Sequence, residues 1–348
     1  MVRRWVGLLV MVTVGGCVDQ ANGGGAGSRD QITAVGSSTV YPFTTMIAEQ
    51  LVANDADARA PVIESTGTGA GMKLFCGGVG AAHPDIEDAS RRMKASEYAE
   101  CAKNGVGQIL EIQVGIDGIA FAEAKNGAKM SLTPVDLYKA LAANPGGRPN
   151  TARLWRDVNP ALPALPIQVY GPPATSGTRD ALAELILTKG CEDSDPSAAA
   201  LAKSDPEAHK ALCTRVREDG VYVDAGENDN LIVQKLQSNP NAIGVFGYSY
   251  LEENKDAVNG VTISGVAPTY ATIADNRYPG SRPLYIYVKK AHLTAIPGLR
   301  TFLKLYAANW SATGPLVKRG LIAAPADVQA RSAAIVANET VLDPAVLR

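Results

Sequence analysis

The chain has 348 residues, of which 46% are hydrophobic and 20% are charged. This composition excludes an intrinsically disordered protein, because disorder requires few apolar residues and a large net charge. With 33 basic and 35 acidic residues the net charge is −2, which excludes a basic surface for nucleic acid. Three histidines and five cysteines do not favour a metal enzyme, and we predict neither a metal nor a cofactor. The length indicates about two domains.

The N-terminus has the layout of an export signal. Two arginines precede an apolar run over residues 5–14, which is too short to span a bilayer. Two glycines then precede Cys17, as in a bacterial lipobox, so we predict a lipoprotein signal peptide over residues 1–16 and lipid on Cys17. The alternative is an ordinary signal peptide that contains a cysteine. Residues 17–30 are rich in glycine and predict a flexible tether that holds the protein at a membrane, in the periplasm or at the cell surface.

Four cysteines remain in the body of the chain, and four cysteines allow three pairings. An even number in an exported protein favours disulfides. We predict the two pairs that are local in sequence, Cys76 with Cys101 and Cys191 with Cys213. The alternatives are free thiols or a four-cysteine metal site, although the close C-x₂₋₄-C spacing of metal sites is absent.

Strand and helix patterns alternate along the rest of the chain, which predicts an α/β fold with mostly parallel strands. Residues 193–205 are interpreted as a polar surface excursion. The predicted strands cover residues 31–35, 61–64, 85–89, 108–114, 167–170, 221–224, 243–246, 261–264 and 284–288. The predicted helices cover residues 41–52, 72–75, 96–103, 133–141, 178–187, 295–308 and 326–338.

Three turns between a strand and a helix consist largely of glycine and hydroxyl residues. They are GSSTV at residues 36–40, STGTGAG at residues 65–71 and TSGTR at residues 175–179. A helix N-terminus leaves free N–H groups with a partial positive charge, glycine lets the backbone approach a ligand, and hydroxyls add donors. Three such turns that meet at the carboxyl ends of strands would form an anion site.

Each turn alone is also explained by ordinary N-capping and turn formation, so the case for a site rests on their recurrence. Nucleotide motifs do not fit, because Met72 stands where a P-loop needs lysine and no G-x-G-x-x-G is present. A fourth segment, DIEDASRRMK at residues 85–94, adds charge. Arg92 and Lys94 are interpreted as solvated, whereas Arg91 directly follows a strand end and is a candidate oxyanion contact.

These segments together resemble the phosphate-binding proteins that serve phosphate-specific ABC transporters, within the type II periplasmic binding protein fold. The matching stretches lie in the family's order and span most of the mature chain. They are GSSTVYPF from Gly36, STGTGAGMK from Ser65, DIEDASRRMK from Asp85, YGPPATSGTRDA from Tyr170, GENDNLIVQKL from Gly226 and AIGVFGY ending at Tyr248. The resemblance implies phosphate binding and no catalytic chemistry.

The resemblance also implies a set of phosphate-binding residues in the turns and the fourth segment. One branch of the family has aspartate where this chain, like another branch, has Arg91. Many members have arginine where this chain has Pro172, so we expect Arg91 and Arg179 to supply the positive charge. An ion pair on the helix surface is the alternative role of Arg179. The implied ligands are Ser38, Thr39, Val40, Thr68, Ser90, Arg91, Ser176, Gly177, Thr178 and Arg179.

The presence of Arg91 in place of the aspartate of one branch of the family bears on selectivity for phosphate over sulfate. Phosphate near pH 7 retains at least one proton, which sulfate lacks, so a buried acceptor that faces the ligand rejects sulfate. Asp88, Glu64 and Asp180 are the candidate acceptors, and the sequence does not choose among them.

The resemblance implies two lobes joined by two crossovers. Lobe I is predicted to contain residues 31–115 and 250–348, and lobe II residues 116–249, with crossovers near residues 114–118 and 246–250. Closure around the anion would follow the hinge pattern of binding proteins. The expected partners are inorganic phosphate, the permease subunits of the transporter and, through the lipid, the membrane. We expect a monomer.

Two alternative functions remain open. The closer one is a binding protein for another oxyanion, such as sulfate or molybdate. The more distant one is a secreted hydrolase with Ser176 as the nucleophile, although the G-x-S-x-G pattern is missing. Its base would have to be His83, His209 or His292, and we interpret the last two as surface residues.

Overall fold

The structure is a computed structural model that describes residues 29–55, 57–174, 176–226 and 229–347. The predicted signal peptide, the lipid-bearing Cys17 and most of the predicted tether lie outside these residues. The strands are β1 Thr33–Gly36, β2 Val62–Ser65, β3 Ile86–Ala89, β4 Ile109–Ala124, β5 Ser131–Leu132, β6 Val169–Gly171, β7 Tyr222–Asp224, β8 Ile243–Gly247, β9 Val258–Gly260, β10 Thr262–Ile263 and β11 Ser281–Lys289.

Helices connect and cover these strands. A π-helical segment, Leu182–Leu187, joins α6 to α7 in one continuous helical run. Within the described ranges, no helix is long and apolar enough to cross a membrane. The α-helices are α1 Tyr41–Asn54, α2 Thr68–Phe75, α3 Ala95–Lys103, α4 Pro134–Leu141, α5 Trp155–Val158, α6 Gly177–Ala181, α7 Thr188–Ser194, α8 Pro196–Ser204, α9 Pro206–Cys213, α10 Asp229–Ser238, α11 Tyr248–Glu253, α12 Tyr270–Ala274, α13 His292–Ala295, α14 Leu299–Asn309, α15 Pro315–Lys318 and α16 Ala326–Asn338.

One long strand connects the two halves of the molecule. The main sheet has the order β2-β1-β3-β11-β4-β8-β6-β7, with β9 also paired to β4. Residues 109–118 of β4 pair with β11, whereas residues 119–124 pair with β8 and β9. Strands β1 to β3 are parallel to one another, as are β6 to β8, and the antiparallel strands lie between these two groups. Each group belongs to one lobe.

Each lobe has its own hydrophobic core. In the first lobe, successive residues of β11 face opposite sides of the sheet: Ile286 packs with the cluster under α1 and α14, and Tyr287 packs with the cluster under α2 and α3. The second lobe is built around large buried side chains such as Trp155 and Phe246. The predicted α/β, two-lobed architecture is confirmed.

The chain returns to the first lobe later than predicted. The predicted crossover near residues 246–250 and the lobe boundary at residue 250 instead fall inside the second lobe. After β8, helix α11 buries Leu251 in the second core, and β9 pairs with the second half of β4. Ile273 and Tyr278 belong to the same core, so the return connection lies between Tyr278 and the start of β11.

One local prediction was wrong. The helix predicted over residues 295–308 is divided into α13 and α14, because Pro297 and Gly298 interrupt it and Gly298 adopts φ +79°. Residues 193–205, predicted as a polar surface excursion, are mostly exposed and mostly helical. Asp195 and Asp205 each cap a helix that begins with proline, and their side chains accept hydrogen bonds from backbone N–H groups of the first turn.

Both predicted disulfides are confirmed. Cys76 is bonded to Cys101, which links α2 to α3, and Cys191 is bonded to Cys213, which links α7 to α9. Each bond closes a short loop within one lobe and so restricts the unfolded chain.

A buried ionic cluster fixes the start of the described chain. Arg29, predicted as part of the tether, donates to Asp85 Oδ1 at 2.7 Å, and the backbone N–H of Thr33 donates to Asp85 Oδ2 at 2.7 Å. His292 Nδ1 lies 2.5 Å from Asp85 Oδ1, and its Nε2 lies 2.5 Å from the carbonyl oxygen of Val79. His292 is therefore a buried structural residue, and its interpretation as a surface residue was wrong.

Strand β3 buries two adjacent carboxyl groups on opposite faces of the sheet. Asp88 is 1% exposed, and its Oδ1 accepts a hydrogen bond from Thr44 Oγ1 at 2.9 Å. Burial raises the pKa of Asp88 to about 8. Burial, and then the neighbouring Asp88, raise the pKa of Glu87 to about 11. The first lobe is thus built around carboxyl groups that favour their protonated form.

We predict that Asp88→Asn changes stability in a pH-dependent way. Folding raises the pKa of Asp88 from its ordinary value of 3.8 to about 8. Between these values the folded state binds more protons, so the contribution of Asp88 to the free energy of unfolding falls as the pH rises. The slope is at most about 1.4 kcal/mol per pH unit. Urea denaturation should therefore show that the variant gains stability relative to the wild type between about pH 5 and about pH 7.5.

Asp193→Asn is the control for removal of a carboxylate, since Asp193 lies on the surface of α7 and pairs with Lys189. A stability difference between Asp88→Asn and the wild type that stays constant with pH would contradict the prediction.

Candidate functional site

A cleft of about 360 Å³ lies between the lobes at the carboxyl ends of β1 and β6. It is lined by hydroxyl and glycine residues from both sides. Five of the residues predicted from the sequence meet there, namely Ser38, Thr39, Ser176, Gly177 and Thr178. The first and third predicted turns are therefore brought together.

The first turn joins β1 to α1. Gly36 ends β1 with φ +130°, and a Cβ atom there would lie 2.1 Å from the backbone oxygen of Asp88, so only glycine fits. The N–H of Thr39 donates to Ser37 Oγ at 3.1 Å, and the N–H of Tyr41 donates to the Ser37 carbonyl at 3.0 Å. Val40 is fully buried as the N-cap residue of α1. This packing leaves Ser38 and Thr39 at the cleft.

The third turn approaches from the second lobe. Ser176 caps α6, and its Oγ accepts a hydrogen bond from the N–H of Thr178 at 3.2 Å. A Cβ atom on Gly177 would lie 3.2 Å from Thr39 Cα, so the two turns are in close contact. A hydrogen bond also joins the lobes at this point, from Ser38 Oγ to Asp180 Oδ2 at 2.5 Å. Two hydroxyl-rich turns thus face one another across the cleft.

Arg282 brings a buried positive charge next to these turns, and sequence reasoning missed it. Arg282 is 6% exposed and stands opposite Asp117 in the register of β11 and β4. Its Nε donates to Asp117 Oδ2 at 3.1 Å, its Nη2 donates to Thr39 Oγ1 at 2.9 Å, and its Nη1 donates to Glu184. Burial raises the pKa of Asp117, although Arg282 opposes this shift. The only signal in the sequence is an arginine at the start of an apolar strand, and that pattern does not identify its partners.

The second turn and the fourth segment do not line this cleft. Thr68 and Ser90 are buried and bonded to each other, with 3.1 Å between their hydroxyl oxygens and 3.0 Å from the Ser90 N–H to Thr68 Oγ1. Arg91 donates to both carboxylate oxygens of Glu97, at 2.6 and 2.9 Å. Thr68, Ser90 and Arg91 are thus bonded to other protein groups. The role of these three residues in ligand binding stays a prediction.

Arg179, the other predicted cation, stacks over the ring of Tyr222, with its guanidinium carbon 4.1 Å from the ring centroid. This cation–π contact differs from both roles considered for it, an anion contact and a surface ion pair. Arg319 lines the cleft and was not predicted.

The three candidate acceptors have different surroundings. Asp88 is buried under α1, and Glu64 is exposed on the edge strand β2. Asp180 is bonded to Ser38, which lines the cleft. The cleft is also lined by Asp117 and Asp229, which sequence reasoning did not consider. Of the three predicted acceptors, Asp180 alone contacts a residue that lines the cleft.

The geometry does not support the hydrolase alternative. Both ring nitrogens of His292 are bonded to protein oxygens in the first lobe, and His209 pairs with Glu192 at 3.1 Å. The His209 side chain is 13% exposed, so it too is largely buried rather than on the surface as predicted. His83 lies beside Gly77 and Gly78 at the end of α2. Over the part of the chain that the structure describes, no group of three or more histidine, cysteine or acidic side chains could hold a metal ion.

Comparison with known proteins gives a consistent result. Residues 21–309 match the model of the PBP superfamily domain. Protein SphX of Synechococcus elongatus is 30% identical over 287 residues, which cover 81% of this chain and 74% of the relative. The phosphate-binding protein PstS of Staphylococcus saprophyticus is 29% identical over 84% of this chain and 80% of its own length.

Solved structures agree with the sequence comparisons. A possible phosphate-binding protein from Planctomyces limnophilus is 29% identical and superposes with a TM-score of 0.70, covering 88% of this chain and 98% of that one. An ABC-type phosphate transport receptor from Vibrio cholerae shares the fold, with a TM-score of 0.56 and 20% identity over 84% of this chain and 99% of its own. The chain therefore belongs to the PBP superfamily, in the family of phosphate-binding substrate-binding proteins of ABC transporters, which are not enzymes.

Proposed function

We propose that this protein binds inorganic phosphate with high affinity in the cleft between its lobes and delivers it to the permease subunits of an ABC transporter. It acts as a monomer outside the cytoplasm. The observation that carries the proposal is the meeting of two hydroxyl-rich turns from opposite lobes, next to the buried guanidinium of Arg282.

The chemistry of these turns suits a tetrahedral oxyanion. Arg282 cannot accept a hydrogen bond, so Thr39 Oγ1 accepts from it and keeps its own proton for another acceptor. The N-terminus of the helical run that begins at Gly177 faces the cleft and adds backbone N–H groups with a partial positive charge. Donors from both lobes can therefore surround one anion, and hydrogen bonds to a charged ligand are the strong ones.

Binding between the lobes also supports the delivery role. A ligand held by Thr39 on one side and by Ser176 to Thr178 on the other joins the lobes and so favours their closed arrangement. A permease can then distinguish the loaded protein from the empty one by the relative position of the lobes. The relatives named as phosphate-binding proteins or phosphate transport receptors support the same ligand.

We predict that Thr39→Val weakens phosphate binding by about tenfold to a hundredfold, the loss expected for one hydrogen bond to a charged ligand. Calorimetric titration of the mature protein, stripped of anion by partial unfolding and refolding, measures the change. Phosphate, sulfate and a phosphate monoester are titrated separately near pH 7, and release of phosphate from the ester is followed.

Thr214→Val is the matched control, because the Thr214 hydroxyl donates to the carbonyl of Lys210 in α9, outside the cleft. Its affinity for phosphate should equal that of the wild type. If the wild-type protein binds sulfate more tightly than phosphate, the proposed ligand is wrong. If it hydrolyses the ester and loses that activity when Ser176 is replaced, the proposed function is wrong.

We also propose that lipid on Cys17 anchors the protein to the bacterial membrane. Cys17→Ser should move the protein from the membrane fraction to the soluble fraction of the cells that produce it, because a serine hydroxyl does not form the thioether to lipid. Asn22→Ser, a polar exchange in the predicted tether, is the control and should leave the protein in the membrane fraction. Immunoblots of the two fractions measure the distribution. A Cys17→Ser variant that stays with the membrane would contradict the anchor.

A further inference from the structure

Two neighbouring hydroxyls at the cleft have opposite hydrogen-bonding partners. Ser38 Oγ donates to the Asp180 carboxylate at 2.5 Å, while Thr39 Oγ1 accepts from the Arg282 guanidinium at 2.9 Å. Both hydroxyls line the same cleft. The difference between their partners determines what each hydroxyl can offer to a ligand.

A hydroxyl has one proton and two lone pairs, whereas an ionised carboxylate can only accept and a guanidinium can only donate. Ser38 therefore directs its single proton to Asp180 and presents lone pairs to the cleft. Thr39 uses a lone pair for Arg282 and keeps its proton. The pair offers one acceptor and one donor to whatever binds there.

We propose that Asp180 makes this site selective for a protonated oxyanion by fixing Ser38 as a hydrogen-bond acceptor. The inference rests on the proposed phosphate function and assigns its specificity. Phosphate near neutral pH carries a proton that Ser38 Oγ accepts, while sulfate presents only oxygen lone pairs, which would oppose those of Ser38. Two acceptors that face each other away from water cannot form a hydrogen bond, so binding is weakened by the full free-energy cost of removing them from water.

The surroundings favour Asp180 over Asp88, Asp117 and Glu184. Asp88 is directed towards Thr44 beneath α1, and Asp117 is paired with Arg282. Glu184 lies four residues after Asp180 on the same helical run, and it too contacts Arg282 rather than a cleft hydroxyl. Asp180 acts through Ser38 and is therefore a positioning residue.

Asp180→Ala tests the proposal. Alanine cannot accept the Ser38 proton, which leaves that proton free for a ligand oxygen. We expect sulfate affinity to rise relative to phosphate affinity. The ratio of the sulfate dissociation constant to the phosphate dissociation constant should therefore fall by about tenfold or more. Calorimetric titration of the full mature protein with sulfate and with inorganic phosphate at about pH 7 gives this ratio.

Asp193→Ala is the matched control for charge, because it removes one carboxylate from the surface of the same helical run, where Asp193 pairs with Lys189. It should leave the affinity for both anions, and their ratio, unchanged. Ser38→Ala should lower the ratio as well, and adding Asp180→Ala to it should have no further effect on the ratio, since the two residues act as one unit.

The outcomes separate the inference from the function on which it rests. If the wild-type protein does not bind phosphate, the proposed function itself is wrong. If the wild-type protein binds phosphate and rejects sulfate, while Asp180→Ala keeps the same ratio as Asp193→Ala, only the role of Asp180 is overturned. Should Asp180→Ala fail to fold, Ser38→Ala decides: an unchanged ratio there contradicts the proposal.

Discussion

The side chain of Arg282 holds the cleft together. From one buried position it bonds to Asp117 on the strand that crosses between the lobes, to Thr39 in the first turn, and to Glu184 on the helix of the second lobe. A buried guanidinium is stable only where carboxylates and hydroxyls satisfy it, so these partners and the arginine require one another. Its bonds to Thr39 and Glu184 hold the first turn next to the helical run that begins at the third turn. The electrostatics of the site and the relative position of the lobes therefore have one common origin.

The pairing of strands in the main sheet brings Arg282 and its partners together. Because β4 belongs to both lobes, Asp117 near its centre lies at the boundary between them, and the antiparallel register of β11 sets Arg282 opposite. The parallel strands β1 and β6 end on either side of this boundary and lead into their hydroxyl-rich turns. Gly177 completes the arrangement, since the absence of a side chain lets the third turn reach Thr39. Local sequence makes the turns, but the long-range pairing of strands makes the site.

Much of the fold and part of the site could be predicted from the sequence. Alternating strands and helices, the two local disulfides and the hydroxyls at Ser38, Thr39 and Ser176 follow from short-range patterns. The partners of Arg282 could not be predicted, because Thr39, Asp117 and Glu184 lie on three separate segments of the chain. The burial of His292 and the late return to the first lobe likewise depend on tertiary packing. Asp195 and Asp205 are different: each precedes a proline, and that helix-start signal was available but not used.

The central claim of this account is that one oxyanion sits between the two turns of opposite lobes. A crystal structure of the protein with arsenate, an oxyanion of nearly the size and protonation of phosphate, tests it most directly through the anomalous signal of arsenic. The account predicts one strong peak within hydrogen-bonding distance of Thr39 and of the Ser176–Thr178 turn. A peak on other residues, with that cleft left unoccupied at saturating arsenate, would contradict it.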